Sequence, residues 1–213
     1  MDRIRILYPF AGDTGRGGSH VSAQGLIAGL DRDRFEPHIL IHRLAGAVGE
    51  YLRDMGLSVE VVADLPLMRT PNYPREGDIR PVSYFLRLVP RLLKEIRRIG
   101  PDIVHTNEGR LHTNWSIPTR LAGRKHLWHH RQDPRAFGIN KLAPITASRI
   151  VSVSQFALPV KPVRPITGRY DIVRSPFDFS GPLPDPDAAR QMILTELNLP
   201  PDTLLLGWFG TLV

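Results

Sequence analysis

The chain contains no cysteine. Disulfides, zinc–thiolate sites and cysteine nucleophiles are therefore excluded, and nothing here is built for an oxidising compartment. Long apolar runs are missing too: no stretch approaches the ~20 residues that a membrane-spanning helix requires. The opening MDRIRILYPFAG has an apolar core too short for a secretory signal and no small-residue cleavage site. The expected location is accordingly the cytoplasm. Acidic residues are in short supply, since 28 Lys and Arg against 21 Asp and Glu leave a formal charge of +7 and a pI near 10.2. That balance suits a nucleic acid, an anionic membrane surface or a phosphorylated ligand. Nucleic acid is the least supported of the three, because aromatic-interleaved basic strands and a recognition helix are both absent. What remains is ordinary globular material, 213 residues with 42% hydrophobic and 23% charged, enough for one large domain or a domain plus a fragment.

The hydrophobic periodicity alternates between strand and helix almost from end to end. RIRILYPF, Pro37–Arg43, Leu57–Asp64, Asp102–Asn107, His126–Arg131 and Arg149–Ser154 are short apolar runs with strand character. Between the first two, Ala23, Leu26, Ile27 and Leu30 follow the spacing of one buried helix face. GEYLRDMG reads as a short helix closed by Gly56. Repeated βα units predict an α/β fold, a doubly wound, parallel, Rossmann-like sheet with helices on both faces. Two segments break the rhythm. Leu65–Pro81 carries four prolines and no period, and a loop that long is usually functional or disordered. Tyr170–Asp187 is a last short strand running into a Pro-rich linker. After it come a helix, a turn and the apolar stretch Leu204–Val213, expected to be the first strand of a second α/β domain.

The first strand runs into GDTGRGGSH, Gly12 to His20. A nucleoside-triphosphate P-loop needs a lysine where Gly18 stands. A dinucleotide fingerprint fits at Gly15 and Gly17 but meets His20 at its third glycine, and the next strand ends in His42 and Arg43 instead of an acid. An arginine there would suit a 2′-phosphate, which keeps an NADP-dependent oxidoreductase as an alternative. The shared physics is clearer: Gly17 and Gly18 admit close approach of a ligand, and Ser19 can cap the helix whose positive end then faces an anion. A merely tight strand-to-helix turn is the plain alternative, for which one or two glycines suffice.

GGSHVSAQGLIAGLDRDRFEPHILI resembles the start of the N-terminal domain of GT-B glycosyltransferases of the family 4 type. LLKEIRRIGPDIVHTNEG is similar to that family's Pro-Asp-Ile/Val-Val-His strand, RIVSVSQ to the strand before the linker, and DIVRSPFD to the interdomain crossover. RQMILTELNLPPDTLLLGWFGTLV resembles the opening of the second domain. The resemblance implies residues 1–174 as an N-terminal acceptor domain, 175–187 as the linker and 188–213 as the start of a truncated C-terminal domain for the nucleotide-sugar. It implies a hexosyltransferase, retaining and metal-independent, with no cofactor and inactive as this fragment alone. Its partners would be a nucleotide-sugar donor and a carbohydrate or lipid-linked acceptor. By the same resemblance Gly17, Gly18, Ser19 and His20 form the phosphate-facing turn, and His105 and Asn107 line the cleft at the end of the fourth strand. The family's histidine beyond the fifth strand falls on His130 or Arg131; Trp128 and the following Gln-Asp-Pro favour Arg131. An arginine there would hold a phosphate or carboxylate and could not act as a base. A separate half-site module of a two-chain transferase remains the other alternative.

Other features read more plainly. His129 and His130 are adjacent without a metal-ligand pattern, and no metal site is expected. Glu108 reads as a solvated carboxylate, and Asp31-Arg32-Asp33 and Asp185-Pro186-Asp187 as turn and capping residues. In Pro81–Pro101, Phe85, Leu88, Leu92, Ile96 and Ile99 are expected to face the core. Arg87, Arg91, Lys94 and Arg98 would line another face, either a solvated one or a contact with anionic lipid at the inner membrane surface. Pro90 should kink or divide that helix.

Overall fold

The computed structural model describes residues 3–12, 17–69, 79–175 and 181–207. The chain divides into two compact units, Met1–Pro176 and Phe177–Val213. In the first, seven strands pair in the order β3-β2-β1-β4-β5-β6-β7, every neighbouring pair parallel. They are β1 (Ile4–Ala11), β2 (Phe35–His42), β3 (Val59–Val62), β4 (Ile103–Thr106), β5 (Lys125–His130), β6 (Arg149–Ser152) and β7 (Tyr170–Ile172). The helices α1 (Gly18–Ala28), α2 (Gly46–Asp54) and α5 (Gly109–Leu121) follow β1, β2 and β4. This is the doubly wound Rossmann-like sheet that the alternating periodicity requires.

Alternation along β1 sorts the core. Ile6, Tyr8 and Phe10 pack with Ala23 and Ile27 of α1 and with Val48 and Leu52 of α2. Leu7 and Ala11, on the other face, pack with Leu111 and Trp115 of α5. A strand buried on both faces has no polar side, which is why RIRILYPF is nearly all apolar. A third cluster, around Trp128, Ile139 and Ile150, anchors the far end of the sheet against α6 (Ala143–Thr146).

The segment from Pro81 to Ile99 departs from a simple helix. Short α3 (Pro81–Ser83) leads into a π-turn at Tyr84–Leu88 and then α4 (Val89–Ile99). Pro90 has no N–H to donate, and the wide turn just before it absorbs that loss. The extra residue rotates the register: Tyr84 is buried with its hydroxyl on the Asn114 carbonyl at 2.8 Å, while Phe85 is 60% exposed. The expected core role of Phe85 is thus taken by Tyr84; Leu88, Leu92, Ile96 and Ile99 are buried as expected. The basic face is also partly neutralised. Arg91 pairs with Asp64, and Arg98 pairs with Glu95 and Glu60.

The proline-rich segment after β3 is packed at both described ends. Leu65, Leu67 and Met68 are buried, and Met68 bridges Ile79 in parallel register. Residues 70–78 lie outside the described residues. In the second unit, α7 (Pro186–Glu196) is capped by the Asp185 carboxylate, which accepts from the Ala188 N–H at 2.8 Å. Asp31 likewise accepts from the Asp33 N–H, so both Asp-x-Asp strings are turn and cap residues. The strand expected from Leu204 is absent over its described part: residues 203–207 form no regular element, and no strand is described in this unit for them to pair with. The remainder of that stretch, residues 208–213, lies outside the described residues.

Candidate functional site

Strand order reverses direction between β1 and β4, and their following helices lie on opposite faces. Parallel sheets open a crevice at the carboxyl ends of such strands, where ligands bind. One residue spans it. Glu108, at the N-cap of α5, accepts the Ala11 N–H at 2.9 Å through one carboxylate oxygen and meets His20 Nε2 at 3.1 Å through the other. His20 Nδ1 in turn accepts the Gly17 N–H at 3.1 Å, which leaves the ring proton on Nε2 to be donated to Glu108. Both ring nitrogens are therefore committed, and His20 locks the glycine turn to the end of β4. Glu108 is not the solvated carboxylate that its sequence context suggested.

The glycines of the turn divide into two kinds. A Cβ on Gly12 would sit 1.4 Å from the Leu44 carbonyl oxygen, so Gly12 is required by the chain's own backbone. A Cβ on Gly17 would touch only His20, at 3.8 Å, and one on Gly18 would touch nothing within 4 Å. Both are exposed, Ser19 beside them is half-buried, and Gly17 sits in extended backbone that any residue adopts. Nothing inside the described chain explains that glycine pair.

Across the crevice, the pleat of β5 separates residues adjacent in sequence. On one face, Thr106 Oγ1 lies 2.6 Å from His112 Nδ1 and 3.0 Å from His126 Nε2, and His112 stacks on Trp128 at 4.4 Å. His130 belongs to that face, 6.3 Å from the His112 ring, with Nε2 donating to the Asp133 carbonyl. On the other face, His105 Nε2 approaches His129 Nδ1 at 3.3 Å, and the two rings stack. Arg131 joins them: Nη2 donates to His129 Nδ1 at 3.3 Å, and Nη1 donates to Ser175 Oγ at 2.7 Å. His130 and Arg131 thus do not share a place. The partner of Arg131 is His129, two residues earlier, as strand period dictates.

Hydrogen bonding is incomplete at this edge, as it also is at Ser22 and Gln24 of α1, at Thr119 of α5 and at His126 and Trp128 of β5. Both amide atoms of Asn107, His129 Nε2, His130 Nδ1 and Arg131 Nε are buried without a partner. Each such group costs about 1–3 kcal/mol, so a cluster of them on two neighbouring strand ends is not what folding alone would select. The electrostatics are one-sided. Burial pushes His126 and His129 down to about 3, the latter helped by Arg131, and it pushes His105, His112 and His130 below the usual range. Burial also lowers Arg131, to about 10, so it stays cationic at neutral pH beside neutral imidazoles. Despite the crowd of histidines, no group of three or more His, Asp or Glu among the described residues converges to hold a metal ion.

No protein-family model and no curated protein matches the chain. Solved structures do. HepE from Anabaena, in complex with UDP and glucose, is similar over 92% of this chain and 50% of its own, with a TM-score of 0.60 at 16% identity. A glycosyltransferase from Rickettsia africae matches 95% of this chain and 51% of its own, with a TM-score of 0.56 at 14% identity. MurG from Acinetobacter baumannii matches 82% and 47%, with a TM-score of 0.54 at 12% identity. The chain spans about half the length of each. Likeness at these identities is a likeness of fold: the chain has the Rossmann-like α/β architecture that makes up one half of such GT-B proteins.

Proposed function

We propose that the chain is the acceptor-side half of a GT-B glycosyltransferase of the retaining, metal-independent type, which transfers a sugar from a nucleotide-sugar to an acceptor. The second half would hold the donor nucleotide, and this fragment alone would be inactive. The observation that carries the reading is the crevice itself. A glycine pair with open space before it stands on one wall, and buried, unpartnered polar atoms with a fixed cation stand on the other. Gly17, Gly18 and Ser19 would admit the diphosphate to the start of α1, where unpaired N–H groups and the helix dipole favour an anion. Asn107, His105 with His129, and Arg131 would meet the sugar and the leaving phosphate. With His20 committed on both nitrogens and Arg131 unable to accept a proton, this wall supplies charge stabilisation in preference to a base. At the end of β2 the oxidoreductase alternative rests on Arg43 as a 2′-phosphate partner, because His42 beside it offers a cofactor nothing. His42 there is fully buried, accepts from Trp115 Nε1 and donates to the Pro66 carbonyl, leaving no acceptor for a cofactor ribose.

The glycine pair gives a direct test. Gly18→Ala should leave the melting temperature unchanged or slightly raised, since alanine favours a helix by up to ~1 kcal/mol. The same substitution should weaken nucleotide-sugar binding by the full-length protein about tenfold or more, about 1.4 kcal/mol. Gly12→Ala should instead destabilise by about 3 kcal/mol or more, because a backbone carbonyl cannot yield. Calorimetry with UDP-glucose alongside thermal melts reads all three, and undiminished affinity in Gly18→Ala would return that pair to a plain turn.

The acceptor is proposed to be lipid-linked, with contact to an anionic membrane through α3 and the π-turn that follows it. Val82 is 84% exposed and Leu86 80%, next to exposed Phe85 and Arg87. Apolar side chains beside a cation suit the boundary between headgroups and acyl chains better than the partly paired basic face farther along. The double variant Phe85→Ser, Leu86→Ser should lose flotation with phosphatidylglycerol vesicles. Equal flotation of variant and wild type would sink this contact.

A further inference from the structure

A cluster of positive charge without an acidic counterpart lies at the opposite edge of the sheet from the crevice. A cavity of about 570 Å³ opens beneath the amino ends of β5 and β6. Its wall carries four cations, Arg120, Lys125, Arg164 and Arg169, and no carboxylate. Several exposed arginines elsewhere find acids: Arg149 pairs with Asp171, Arg91 with Asp64, and Arg98 with Glu60 and Glu95. Here, among the described residues, none of the four meets one. Arg169 is fixed by carbonyls alone. Nη2 donates to Pro144 at 2.9 Å and Pro165 at 3.1 Å, and Nη1 donates to Ala147 at 3.3 Å. Those bonds orient its guanidinium without neutralising it. Four like charges round one concavity repel one another and lower the stability of the empty fold, unless an anion relieves them.

We infer that this cavity is a second anion site, separate from the crevice, which takes a multiply charged phosphate group. The guanidinium of Arg169 supplies an oriented positive charge, and Arg120, Lys125 and Arg164 close on the anion from exposed, adjustable positions. Its ligand would be either a free oligophosphate or the phosphate of a lipid headgroup. Occupancy would stabilise the sheet from the side remote from transfer.

The test titrates inorganic tripolyphosphate into the full-length protein by calorimetry at low salt. The variant Arg120→Gln, Lys125→Gln, Arg164→Gln removes three cations that make no side-chain bond in the fold, so its melting temperature serves as the folding control. A matched variant, Arg87→Gln, Lys94→Gln, Arg97→Gln, removes equal charge from the helix. The expected result is at least a tenfold loss of affinity in the first variant, little loss in the second, and retained binding in Arg131→Ala. Phosphatidylglycerol vesicles assign the source: loss of vesicle binding in the cavity variant points to a lipid headgroup, and loss of tripolyphosphate alone points to a soluble phosphate. Three outcomes would overturn the site: no tripolyphosphate binding by the wild type, equal losses in the two triple variants, or binding that disappears with Arg131→Ala instead. Only the last also bears on the crevice.

Discussion

Lowering the pH from 7.5 to 5 is expected to destabilise the sheet unit strongly. His126 and His129 are held near 3, and His105, His112 and His130 are held below the ordinary value of 6.5. Their folded values lie below their unfolded ones, so the unfolded chain binds more protons between those limits and stability falls as pH drops through 6.5. A histidine near 3 when folded forfeits about 2 kcal/mol by pH 5. His126 and His129 together therefore cost about 4 kcal/mol, and His105, His112 and His130 shift in the same direction and add to the loss. A domain's whole stability is about 5–15 kcal/mol, so the loss is a large fraction of it. The cause is structural: His112, His126 and His130 are buried with Trp128 and Thr106 on the α5 face, and His105 and His129 are buried against each other beside Arg131 on the other, so neither group can be solvated as a charge. Chemical denaturation at half-unit pH steps checks it. Each histidine should add a slope approaching about 1.4 kcal/mol per pH unit, and His126→Gln should remove one such increment. A stability curve flat from pH 8 to 5 would mean that these histidines are not buried as neutral groups.

The sheet was readable because burial on both faces leaves an unmistakable signature. Ile6, Tyr8 and Phe10 cannot be exchanged for polar residues without opening one core, nor Leu7 and Ala11 without opening the other. Phe85 was misplaced because a stripe counted at 3.6 residues assumes an uninterrupted helix. The π-turn ahead of Pro90 adds a residue, and its effect is invisible unless the missing proline N–H is carried back a turn. Glu108 was missed for a different reason. Its two partners, Ala11 and His20, stand 97 and 88 residues away, and only the topological reversal between β1 and β4 brings them together. The pairing of His129 with Arg131 was available in principle. Side chains two apart on a strand share a face, so weighing His130 against Arg131 compared residues that point to opposite sides.

That correction sharpens the second large prediction, on Arg131. Its guanidinium is held from two directions, by Ser175 Oγ and His129 Nδ1, while its Nε is buried and unpaired. Such a cation reorganises little when charge develops on a leaving phosphate, the condition under which a fixed donor contributes most. On the proposed function, Arg131→Ala should therefore lower kcat/KM for sugar transfer by about 10²–10³, or about 3–4 kcal/mol of transition-state stabilisation. The stability cost should stay near 1 kcal/mol, the net worth of the hydrogen bonds removed. Arg131→Lys separates charge from geometry, since an ammonium keeps the charge but cannot bond Ser175 and His129 in one plane while presenting a third donor. Recovery of less than a tenth of the lost rate would assign the effect to the fork. Ser175→Ala should then reproduce a smaller part of the Arg131→Ala loss, through a loosened guanidinium, with kcat affected more than KM. If Arg131→Ala transfers sugar at the wild-type rate, the wall that stabilises the leaving group must lie elsewhere, and the paired His105 and His129 become the groups to vary next.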